Sequence, residues 1–142
     1  MEEMHISTTA VLVTIAVTFV FSFLWYAVLF GKSWATEMKF DMTVKPAPSV
    51  MIRGLLFSLV GSCFLAYVFA HNNAAWSYVP GMDQMSAGQK LMSAAGFTWL
   101  GFYVPEDLSR VAWEKHSWKL FAINTSYHLL NLVLAAAILM NL

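Results

Sequence analysis

Asn124, Tyr127, His128 and Asn131 are spaced at offsets of 0, 3, 4 and 7, so on a helix all four share one face. The run around them carries no formal charge from Leu120 to Leu142. Polar side chains in such a run are costly and mark either a functional path or hydrogen bonds between helices. Glu106 and Arg110 are four apart, suited to pairing on one helical face. With Tyr26 they complete a candidate polar cluster: Tyr26, Glu106, Arg110, Asn124, Tyr127, His128 and Asn131. Three kinds of chemistry fit these residues. They can line a path for an ion, a proton or a small solute, with Glu106, His128 and Arg110 bearing charge. They can supply an acid or base, His128 or Glu106, acting on a lipid or quinone. Or they simply hold helices together, with Glu106, Asp107 and Arg110 left among lipid headgroups.

Other chemistries find no support. Histidine is the usual metal and haem ligand, but the depths of His128 and His71 disagree. His128 lies about 12 Å up the last apolar segment and His71 about 26 Å up the second, from the helical rise. His5 and His71 fall near one outer face, yet two ligands make a weak site. The lone cysteine, Cys63, sits among apolar neighbours and reads as an inert filler; it excludes a disulfide framework and four-ligand zinc clusters. Gly-rich phosphate loops, metalloprotease helices and nucleophile elbows are missing. No metal and no cofactor is expected.

The elements that position these residues are set by composition. Of 142 residues 59% are hydrophobic and 11% charged, against about a quarter charged in a soluble domain. Mean hydropathy is +0.62. Eight basic and eight acidic side chains cancel, which leaves no field to draw nucleic acid. The expectation is an all-α integral membrane four-helix bundle, one domain, with spans near 7–30, 54–72, 87–112 and 120–141 and a linker at 31–53. The first span is no signal peptide, because Glu2 and Glu3 precede it, its apolar core is too long and no small-residue cleavage site follows. Asn72, Asn73 and Pro80-Gly81 end the second. The third opens on a capping box, Ser86 with Gln89. Leu91 to Val104 covers only about 21 Å of a roughly 30 Å hydrocarbon core, so the helix is expected to continue through Pro105 with a kink.

Four spans put Lys32, Lys39, Lys45, Arg53, Arg110, Lys115 and Lys119 on one side and Lys90 alone on the other. That bias makes the rich side cytoplasmic, in a cell (inner) membrane, with both termini on the non-cytoplasmic face. Inverted repeats of the transporter kind are not visible. Thr14, Thr18 and Ser22 on the first span, and Gly54, Ser58, Ser62 and Ala66 on the second, form small-residue stripes that let helices approach closely. Packing within one bundle explains them; a subunit interface is the functional alternative, since four short helices leave little room for a path without a homo-oligomer. Trp25, Lys32 and Trp34 read as interface anchors, and Gly31 as a left-handed helix end.

Three segments together are familiar: Trp-Tyr-x-x-Leu-Phe-Gly-Lys-x-Trp from Trp25 to Trp34, Trp-Leu-Gly-Phe from Trp99 to Phe102, and the run from Trp118 through Asn124 to Tyr127 and His128. Their order and spacing resemble the bacterial family called domain of unknown function 1761, small proteins with four predicted spans. The resemblance covers nearly the whole chain, implies the fold already read from the residues, and brings no activity or catalytic residue. The Pro105-Glu106-Asp107 to Arg110 run departs from the family pattern. The first expectation for function is a small oligomeric channel or carrier of an ion or small solute. The alternatives are a non-transporting scaffold that binds a partner protein, and an intramembrane enzyme.

Overall fold

The computed structural model describes residues 6–142, so the readings of Glu2, Glu3 and His5 lie outside the described residues. It is all-α, with no strand among those residues. Helix α1, Thr8–Phe23, starts at Ser7, whose hydroxyl accepts from the Ala10 N–H, and it widens into a π-turn over Leu24–Leu29. After Phe30 a short α2, Gly31–Glu37, follows. Helix α3, Pro48–Trp76, begins with proline in its first turn, where the missing N–H costs nothing. Gly81, at φ +89°, then turns the chain into a 3-10 turn at Met82–Gln84. Helix α4, Ala87–Thr98, opens on the complete capping box: Gln89 N–H to Ser86 Oγ, and Ser86 N–H to Gln89 Oε1. A second π-turn, Trp99–Tyr103, joins it to α5, Val104–Trp113. Helix α6, Trp118–Asn141, is capped by Ser117.

Three stretches are long and apolar enough to cross a membrane: Thr8–Leu29, Pro48–Trp76 and Trp118–Asn141, of 22, 29 and 24 residues. At about 1.5 Å per residue even the shortest rises about 33 Å, more than a bilayer's roughly 30 Å of hydrocarbon. Length and composition therefore point to a membrane location. The 87–113 run is helical without a break, because Thr98, Trp99, Tyr103 and Val104 all keep right-handed helical angles across the π-turn. The non-α segment ends just before Pro105. Proline has no N–H to give and its ring crowds the carbonyl four residues back, so a widened turn there relieves both defects.

Two local expectations need correcting. Gly31 is not a left-handed helix end; it opens α2 directly behind the first π-turn. Its hydrogen side chain matters for another reason, since a Cβ there would meet the Tyr26 carbonyl oxygen at 3.1 Å. Asn72 and Asn73 do not end α3, which runs on to Trp76 and also starts at Pro48, inside the stretch read as linker.

Helix α6 is the hub: it packs against α1, α2, α3, α4 and α5. Phe69 from α3, Ala95 from α4, and Leu132, Ala135 and Ala136 from α6 form one buried core cluster. Alanine at three of those five positions lets the helix axes come close, which is how helices associate where lipid removes the hydrophobic drive. Thr14 and Thr18 are fully buried. Their hydroxyls donate back to the Ala10 and Thr14 carbonyls at 2.8 and 2.7 Å, and Ser22 does the same to Thr18 at 2.9 Å. Self-satisfied hydroxyls leave a smooth face for a neighbour. On α3 the small-residue stripe divides. Ser62, Ala66 and Ala70 are buried, whereas Gly54 and Ser58 are exposed, and a Cβ at Gly54 would meet nothing within 4 Å.

Candidate functional site

Both π-turns aim a tryptophan at the same stretch of α6. A π-turn fits an extra residue into one turn and so redirects the side chains it carries. Trp25 Nε1 donates to the Ile123 carbonyl at 3.1 Å, and Trp99 Nε1 donates to the Thr125 carbonyl at 2.8 Å and its hydroxyl at 3.0 Å. Two indoles thus grip α6 from different sides, two residues apart. Trp25 is only 7% exposed. It is therefore a buried clamp rather than the interface anchor expected from its place near the end of the first apolar run. Trp34 is half-buried, with its ring edge-on to Tyr26 at 5.7 Å, and Lys32 is exposed.

The clamps fix the aromatic and polar groups between them. Tyr26 donates to Asn124 Oδ1 at 3.1 Å. Ser22 and Tyr127 share a hydrogen bond between their hydroxyls. The Tyr127 ring contacts Phe21, Trp25 and Tyr26 on α1 and His128 beside it. Of the expected cluster, Tyr26, Asn124 and Tyr127 are thus joined directly, and His128 adjoins them. Asn131, one turn further along, is 8% exposed, and its Oδ1 has no hydrogen-bond partner.

Glu106 and Arg110 pair at 2.6 Å, as their spacing required, but the pair lies outside the cluster, with side chains 60% and 37% exposed. The carboxylate that enters is Asp107, which is 3% exposed. Its Oδ2 lies 3.8 Å from His128 Nε2 and makes no hydrogen bond. Tyr103, from the second π-turn, stacks on the His128 ring at 4.4 Å and 27°. Glu106 is favoured in the sequence by its four-residue spacing to Arg110, whereas the π-turn over 99–103 holds one residue more than an α-turn and so shifts by about one residue the side chain that follows it inward. Sequence reasoning leaves Asp107 among the headgroups, reads Trp99 only as part of a familiar segment and does not single out Tyr103; the proline six positions after Trp99 is the available signal.

The 124–131 face is turned into the protomer, against α1 and α5, with Asn124 and Asn131 both buried. Asp107 Oδ2 and Asn131 Oδ1 are fully buried there without a hydrogen-bond partner; both are acceptors, so what they lack is a donor: a proton, a water or a cation. At the end of the bundle marked by α2, Glu37 accepts from the Ser117 hydroxyl at 2.5 Å and faces Lys119 Nζ at 3.5 Å. The Ser117 hydrogen bond, and after it Lys119, hold the Glu37 carboxyl below the usual carboxylate range. This latch ties α2 to the start of α6. Among the described residues no group of three His, Cys, Asp or Glu is placed to hold a metal ion.

A cavity of about 190 Å³ between α1 and α3 is lined by Ser22, Tyr26, Ser58, Phe19 and Leu55 among others, so Ser22 and Tyr26 face both it and α6. No curated protein and no solved structure matches the chain significantly. A family model described as "Protein of unknown function (DUF1761)" matches residues 9–140, nearly the full length and all three segments whose spacing was noted, and the chain belongs to that family.

Proposed function

We propose that this protein is a four-span carrier of a small ion or solute in the cell membrane, with a binding site inside each protomer. The fourth span of this reading is the 87–113 run, whose 27 residues rise about 40 Å at the helical pitch. Lysine and arginine bias makes the α2 end cytoplasmic and both termini non-cytoplasmic. One observation carries the reading: Asp107 Oδ2, buried and without a donor, faces His128 across 3.8 Å. Helix glue consists of satisfied pairs, and Tyr26 with Asn124 or Trp99 with Thr125 are of that kind. A lone buried carboxylate oxygen weakens a bundle unless something binds it.

Because the polar face points into the protomer, a ring-shaped pore lined by 124–131 is not part of the proposal. Homo-oligomers formed through the open side of α3 near Gly54 would each carry several independent sites. The test is reconstitution into liposomes with a panel of ions and small solutes. Uptake that falls in Asp107→Asn and His128→Ala, with the proteins still folded, supports a carrier. Silence across the panel, with one defined protein co-purifying, would replace it by a scaffold.

The cavity between α1 and α3 favours a second reading, an intramembrane site for a lipid or quinone. Phe19, Phe23 and Leu55 make an apolar wall, and Ser22, Ser58 and Tyr26 a polar floor suited to an amphiphile's hydroxyl or carbonyl. A stoichiometric lipid or quinone recovered from the purified protein, and lost in Ser58→Leu, would favour it.

A further inference from the structure

We propose that the ligand of this site is the proton, held in common by the Asp107 carboxyl and the His128 imidazole. The inference rests on the carrier reading and names what is carried or coupled. Asp107 Oδ2 and His128 Nε2 are 3.8 Å apart, about 1 Å beyond a hydrogen bond. A small movement of α5 against α6 therefore makes or breaks their contact. With one proton between them, either the carboxyl is neutral or the carboxylate faces an imidazolium, and both arrangements are balanced. With none, a carboxylate is left buried and unpaired, which is costly. The proton moves from the carboxyl O–H to the Nε2 lone pair, and the bonding electrons stay on Oδ2, so no other reactant is needed.

The surroundings suit a proton better than a metal cation. Tyr103 stacks on the imidazole, and the Tyr127 ring meets it edge-on. Oxygen ligands for a metal ion number too few, because Glu106 is turned outward to Arg110 and Asn124 is engaged by Tyr26. The charged and titratable groups near enough to act on the pair are Glu106 and Arg110 from the outer face of α5, His116 from the α5–α6 connection, Tyr103 from the second π-turn and Tyr127 from α6, with Tyr26 from the first π-turn near Asp107.

The experiment uses the full chain in lipid nanodiscs, and the probe is the proton itself. Infrared difference spectra across a pH series should show a protonated-carboxyl band that vanishes in Asp107→Asn and survives, shifted, in Asp107→Glu. Nitrogen resonances of His128 should titrate at a different pH in Asp107→Asn, with circular dichroism unchanged. In liposomes, a potassium diffusion potential should drive proton flux that falls by roughly a hundredfold in Asp107→Asn, the lower range for a positioned acid–base group. His128→Gln gives an independent second variant. Spectroscopic coupling without any flux would uphold the proton pair and sink the carrier. Solute uptake that falls in Asp107→Asn but ignores the proton gradient would uphold the carrier and overturn the proton. A carboxyl band missing at every pH, or uptake driven by a sodium gradient alone, also overturns it.

Discussion

Each of the two indole clamps on α6 rests on one N–H, given by Trp25 to a single carbonyl and shared by Trp99 between the Thr125 carbonyl and hydroxyl. Trp99→Phe keeps an aromatic side chain but loses the donor and part of the indole's volume, so it should cost at least the roughly 0.5–1.5 kcal/mol of the hydrogen bond, read as a lower midpoint of detergent-induced unfolding. Asn124 and Asn131 are both buried asparagines on one face of α6, yet their substitutions should part company. Asn124→Leu strands the Tyr26 hydroxyl and destabilises, whereas Asn131→Leu removes an unpartnered oxygen and should be neutral or stabilising in the same assay. The alignment of Asn124, Tyr127 and His128 was legible from 3-and-4 spacing, since α6 is an uninterrupted helix. The carboxylate beside His128 was not, because a π-turn leaves no mark in residue types beyond a proline downstream. Trp25 misled for a related reason. Tryptophan near the end of an apolar run is typical of both a headgroup anchor and a buried donor, and only the turn's direction decides.

At the scale of helices, the stripe of small residues on α3 contains two different environments. Ser62 is 6% exposed, so Ser62→Leu forces side chains apart and should cost about 1–3 kcal/mol. Gly54→Leu meets open space and should leave the unfolding midpoint within error. A regular spacing of small residues shows that a face exists but not how far the neighbouring helix extends along it. Capping was more readable: Ser86 and Gln89 are local chemistry, and both of their bonds form. The latch at α2 makes a pH prediction. Glu37 titrates below its unfolded value, so its contribution is complete above the ordinary glutamate range, about pH 4.3, and is lost as pH falls through the lower folded value. Thermal unfolding of the wild type should therefore weaken in acid by a component that Glu37→Gln lacks, while the two behave alike in their pH dependence at neutrality.

For the whole chain, hydropathy and charge placement gave the all-α class and the membrane location, because hydrocarbon allows few ways to satisfy a backbone. They gave no indication that α6 would be the hub, which depends on alanines at the right turns of α4 and of α6 itself. The proposed topology is tested with Cys63→Ala as background. Lys39→Cys should react with an impermeant thiol reagent only from the cytoplasmic side, and Leu142→Cys only from the other. Both reacting from one side would remove the four-span arrangement and the carrier with it.

The widened turn at 99–103 also stores one residue of slack in the chain. Removing a residue from the middle of an ordinary helix rotates everything beyond it by about 100° and would normally scramble a packed face. Deleting Gly101 together with Pro105→Ala, which removes the ring that the widened turn accommodates, should instead let this loop of backbone tighten to regular pitch, with Asp107 keeping its bearing on His128. A deletion in the heart of a helical protein would then be milder than many substitutions beside it.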